Sequence, residues 1–153
     1  MPSTRLLIKK LKIDFTQFSF QESDDFLWSP SNQTVFYVNI EGGYAYLLHE
    51  LSHGLLGHAD YTRDVELLAM ERTAWDKALI LAKTYNEIIG SDIVEFNLDT
   101  YRDWLHSRST CPNCQATGLQ IKKRLYTCPA CRHNWRVNDA RICALRRYNE
   151  SIK

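Results

Sequence analysis

No stretch of this chain stays apolar long enough to span a bilayer; runs such as "ALILA" at 78–82 are far too short. The first residues, "MPSTRLLIKKLKIDF", lack the unbroken apolar core and small-residue cleavage site of an export signal, so a cytoplasmic location is expected. Internal repeats and low-complexity tracts are missing too, and no large charge of one sign survives in the total, which is +1. Cysteine is scarce, at five residues, and in a chain without an export signal it points to metal thiolates rather than disulfides.

What is present is a globular composition, 44% hydrophobic and 24% charged, over 153 residues. That length suits one ordinary domain or a small domain with a mini-domain. The charge is unevenly placed. Residues 1–100 carry 8 Lys/Arg against 15 Asp/Glu, and residues 101–153 carry 11 against 3. An acidic body followed by a basic unit suggests two functional parts, with boundaries expected at 1–108 and 109–153.

The expected fold class is α+β. Residues 4–13 form a short amphipathic helix or strand. "FTQFSF", "DFLW" and "TVFYVN" read as strands of a small, mainly antiparallel sheet, with turns at "QESD" and "SPSNQ". A helix is expected from about Tyr44 to Leu56, ended by Gly57. A second should run from Asp64 to about Ile89, with Gly90 beyond it. "NLDTYRDWLHSR" predicts a third, with Asp99 as a cap, and "NDARICALRRYNE" a basic C-terminal helix.

The chemistry concentrates in "LLHELSHGLLGH" at 47–58. Residues four apart share a helix face, so His49 and His53 can offer two imidazole nitrogens to one metal, with Glu50 beside them. This is the H-E-x-x-H pattern, in which zinc acidifies a bound water and a carboxylate takes its proton. Glu50 is the expected catalytic base, then acid.

Three residues compete to be the third ligand. Metzincins place a glycine three and a histidine six residues beyond the second His; here Gly57 and His58 stand at four and five, so that pattern fails. Glu66 and Glu71 both lie on the second helix. Leu67, Met70, Ala74, Ala78 and Leu81 form its apolar stripe, and Glu71 falls inside it while Glu66 lies about 100° away. A carboxylate on an apolar stripe needs a charge or a metal, which favours Glu71 over Glu66 and His58. Tyr44, His58 and Tyr61 are candidates to stabilise an oxyanion, and the sequence does not choose among them.

"TVFYVN", "LLHELSHGLLGH" and "ERTAWDKAL" together resemble a minimal gluzincin of the ImmA/IrrE metallopeptidase type, over about residues 34–85. Ser52 departs from the glycine often found there in that family. The resemblance implies a zincin-like fold and a zinc-dependent endopeptidase acting on a protein substrate, with the strand around Val35–Asn39 binding that substrate by strand addition.

The basic unit holds a second constellation. "CPNC" and "CPAC" place Cys111, Cys114, Cys128 and Cys131 in two knuckles, the spacing of a four-cysteine zinc ribbon. Two Zn2+ ions are therefore expected, one catalytic and one structural. Lys122, Lys123, Arg124, Arg132, Arg136, Arg141, Arg146 and Arg147, interleaved with Tyr126, Trp135 and Tyr148, suit either nucleic-acid contacts or a solvated basic face in which Trp135 is simply core. His106, His133 and Cys143 are expected to be structural or surface residues. The pairing of H-E-x-x-H with a ribbon also resembles SprT-like proteases of DNA-bound proteins. Those use a histidine well downstream as third ligand, and here only His106 and His133 follow His58.

Overall fold

A computed structural model describes residues 4–139 and 145–150. The fold is α+β, and it divides into two compact units: Met1–Asp60 with Met70–Val94, and Tyr61–Ala69 with Glu95–Lys153. Among the described residues no helix is long and apolar enough to cross a membrane.

In the first unit, α1 (Thr4–Asp14) buries Leu7, Ile8 and Leu11, the three- and four-residue spacing of one helix face. Strands β1 (Ser19–Glu22), β2 (Leu27–Ser29) and β3 (Thr34–Tyr37) follow, the last two joined by the turn at residues 30–33. The sheet order is β1-β3-β2. β2 pairs with β3 antiparallel, as expected, but β1 pairs with β3 in parallel. The pattern explains the centre: β3 buries Thr34, Val35 and Tyr37, whereas β1 and β2 each bury one residue. A strand buried on both faces belongs inside a sheet. The expectation that a substrate strand adds beside Val35–Asn39 is therefore corrected, because both edges of β3 are already paired.

Helix α2 (Tyr44–Leu55) lies on β2 at close range: a Cβ added to Gly54 would come 3.0 Å from the Trp28 ring. Its C-terminus is a Schellman motif. Gly57, at φ +67°, donates to Gly54 O at 3.1 Å, and His58 N donates to His53 O at 2.9 Å.

Helix α3 (Asp64–Thr84) stops five residues short of the expected Ile89. Asn86, at φ 58°, takes the left-handed place expected of Gly90, and Glu87 N closes the turn on Ala82 O at 2.8 Å. Helix α4 (Ser91–Ser109) begins well before Asp99, which sits mid-helix. Val94, Leu98, Tyr101 and Trp104 are its buried face.

The second unit carries a four-stranded antiparallel sheet in the order β4 (Leu119–Lys122), β5 (Leu125–Thr127), β6 (Asn134–Val137), β7 (Arg147–Asn149). The expected C-terminal helix is corrected: Arg147–Asn149 pairs with β6 and covers its edge. Arg141 and Cys143 lie outside the described residues. A small core of Cys111, Tyr126, Cys128, Trp135 and Val137 fills this unit.

Candidate metal centres

His49 and His53 project from one face of α2, and Glu71 meets them from α3. His49 Nε2 lies 2.9 Å from Glu71 Oε2, His53 Nε2 lies 3.2 Å from Glu71 Oε1, and the two Nε2 atoms are 3.1 Å apart. All three side chains are buried. Zinc with bonds near 2.05 Å sets its ligand atoms roughly 3.3 Å apart, so these three atoms outline one face of a tetrahedron. Two imidazole nitrogens and a carboxylate are also a donor set whose converging lone pairs one cation satisfies together. Burial alone would push the Glu71 carboxyl up; without an ion, imidazole N–H groups of His49 and His53 outweigh it and hold the group at about 2, and a cation would take the place of those protons.

Neighbours fix this triangle. The His49 ring stacks on Trp75 at 4.1 Å between centroids. Trp75 stands one turn beyond Glu71, so the same stripe of α3 supplies a candidate ligand and a platform. No described group pairs with the buried His49 Nδ1. Glu50 sits beside the cluster, with Oε2 accepting the Trp28 backbone N–H at 2.9 Å. Burial lifts its carboxyl above the ordinary range, and the nearby His49 and His53 and the Trp28 hydrogen bond oppose that lift without cancelling it.

The competitors for the third position are engaged elsewhere. Glu66 Oε2 accepts the N–H groups of Thr62 and Arg63 at 2.9 and 3.2 Å, capping the start of α3, and these bonds lower its pKa. His58 turns its Nδ1 to His53 Nδ1 at 2.8 Å, on the far side of that ring from the Nε2 triangle. Burial, and then His53, lower the His58 pKa. Tyr44 donates its hydroxyl to Ile88 O.

The four cysteines of the second unit form the other candidate centre. All are free thiols, and one sulfur from each lies within 4.8 Å of the rest. Cys111 and Cys131 sulfurs are 3.6 Å apart, Cys114 and Cys128 sulfurs 3.5 Å. Sulfur–sulfur edges around zinc are about 3.75 Å, and a disulfide is about 2.05 Å. The two knuckles are built alike. Gln115 N bonds Cys111 O and Arg132 N bonds Cys128 O, and both donors have positive φ, 68° and 64°. Cys111 N and Cys128 N then bond Ala116 O and His133 O, each at 2.8 Å. This repeat fits one ion held by two equivalent turns.

Trp135 and Tyr126 are buried, so they are core rather than stacking platforms; Tyr148 is 48% exposed. Arg124 pairs with Asp139, Arg136 with Glu150, and Arg147 bonds Thr110 O. His133 bonds Asn149 Oδ1, and His106 lies exposed on α4. Sequence reasoning missed the Trp28 contact, the Trp75 platform and a buried Asp64–Arg108 pair. Only Trp75, one turn past Glu71, had a signal in the spacing. No family model, no curated protein and no solved structure matches the chain.

Proposed function

We propose that the protein is a zinc-dependent endopeptidase of gluzincin type, with a four-cysteine zinc ribbon as its structural and recruiting module. The observation that carries this reading is the convergence of His49, His53 and Glu71 on one triangle with Glu50 alongside. His49, His53 and Glu71 would hold the ion. Zinc bound there supplies Lewis-acid polarisation and an acidified water. Glu50 is the proton acceptor and later donor: Trp28 engages Oε2, and Oε1 has no such bond among the described residues. β1 and β2 are the two edges of the sheet, and at β2 the outward Trp28 N–H is already taken by Glu50, so the sheet lends no support to strand addition beside the site.

The basic excess of residues 101–153 supports recruitment of an acidic protein or nucleic acid by charge. Burial of Tyr126 and Trp135 removes two of three stacking aromatics from that surface, which favours charge over base stacking.

Zinc per chain, measured on protein purified without chelator, tests the foundation. Two ions in the wild type and one in His49→Ala support it. One ion in both overturns the peptidase reading and leaves the ribbon.

A further inference from the structure

His58 and Thr73 form a hydrogen-bonded chain that ends on His53. Thr73 Oγ1 donates to Met70 O at 3.0 Å, which uses its only proton. Towards His58 Nε2, 3.4 Å away, that oxygen can therefore only accept. A neutral His58 that carries its proton on Nε2 has a lone pair on Nδ1. This lone pair faces His53 Nδ1 at 2.8 Å, so His53 must be the donor there. The remaining nitrogen of His53, Nε2, is then left with its lone pair in the triangle with His49 Nε2 and Glu71 Oε1.

We propose that His58 and Thr73 are positioning residues that set the tautomer and ring plane of His53 for metal binding. The inference rests on the metal-centre reading above and adds to it a function for a histidine that is not itself a ligand. Metal-bound histidines commonly donate their second N–H to such a partner, and loss of that partner weakens the site. His49 has none among the described residues, since its buried Nδ1 meets no hydrogen-bonding group, so the control acts on one ligand of three.

The fold delivers His58 to this place without help from its side chain. Gly57 reverses the chain, His58 N is tied to His53 O, and His58 O accepts the Trp28 indole N–H at 2.9 Å. Substitutions at 58 therefore remove the ring interaction and leave the loop anchored.

The test is zinc affinity by chelator competition, with ring nitrogen shifts of labelled histidine, on the full chain. His58→Phe should weaken binding at the histidine site by about 10- to 100-fold and lose the His53 Nδ1–H signature. His58→Asn, whose side-chain oxygen can accept in place of Nδ1, should stay within about threefold of wild type. Thr73→Val should cost less than His58→Phe, because the 3.4 Å link is the long one, and Thr73→Ser should restore it. Ribbon zinc should be retained throughout and reports the fold. Wild-type affinity and an unchanged His53 tautomer in His58→Phe overturn this inference alone. A wild-type chain that takes up only the ribbon ion overturns the metal-centre reading, and this one with it.

Discussion

The backbone N–H of Trp28 donates to Glu50 Oε2 at 2.9 Å, so the sheet edge holds the acid that stands beside two buried histidines. The bond orients the carboxylate and commits one of its oxygens. Glu50→Gln keeps an oxygen for Trp28 and loses the proton-accepting charge. Turnover of a peptide library should fall by about 10²- to 10⁴-fold while zinc content and melting temperature stay at wild-type values. Undiminished turnover would remove Glu50 from the chemistry.

Glu71 and Glu66 stand five residues apart on one helix in opposite surroundings. Glu71 is buried against two imidazoles, and Glu66 is exposed and caps the helix start. Glu71→Ala should release one zinc per chain. Glu66→Ala should keep both ions and lower the melting temperature slightly through loss of the cap. Elemental analysis separates them, and loss of zinc from Glu66→Ala would reverse the assignment.

The convergence of His49, His53 and Glu71 was legible because helical periodicity is a local property. His49 and His53 follow from one turn of helix, and Glu71 from its place on an apolar stripe. The four-cysteine cluster was legible for the same reason: its knuckles are local turns. The parallel β1–β3 pairing was not, since three short strands can be ordered in several ways and only burial on both faces singles out β3. The end of α3 escaped because an asparagine took the left-handed position where glycine is the usual choice. Glu50's partner was out of reach because a backbone N–H carries no mark of residue type.

Tyr85 offers a test of how α3 is tied to α1. Its hydroxyl donates to Asp14 Oδ2 at 2.6 Å. Burial first, then the hydrogen bond and charge of Asp14, raise its pKa well above the usual phenol range. The unfolded phenol loses its proton near pH 10, while the folded one keeps it. Between those values the folded state binds more protons, so the contribution of this bond is whole below about pH 10 and is lost as pH rises. Urea midpoints should be level from about pH 7 to 9 and decline above about 10, with a shallower decline in Tyr85→Phe. Equal declines would show that Tyr85 does not carry the linkage.

Asp64 and Arg108 are a buried ion pair inside the second unit, at 2.8 Å between Arg108 Nε and Asp64 Oδ2. Tyr126 adds its hydroxyl to Asp64 Oδ2 at 2.6 Å, Asn138 O accepts from the guanidinium, and the Trp135 indole donates to Arg108 O at 2.9 Å. The start of α3, the end of α4 and the ribbon sheet are thereby joined by charge and hydrogen bonds rather than by a large apolar core. Removing one partner strands the other charge in a dry site, at about 3–5 kcal/mol. Arg108→Met should therefore unfold this unit at much lower urea, read from Trp135 fluorescence together with ribbon zinc. The double variant Asp64→Leu with Arg108→Met removes both charges and should recover part of that loss, which additivity of the single variants does not give. A double variant as unstable as the sum of its parts would mean that the two side chains act independently.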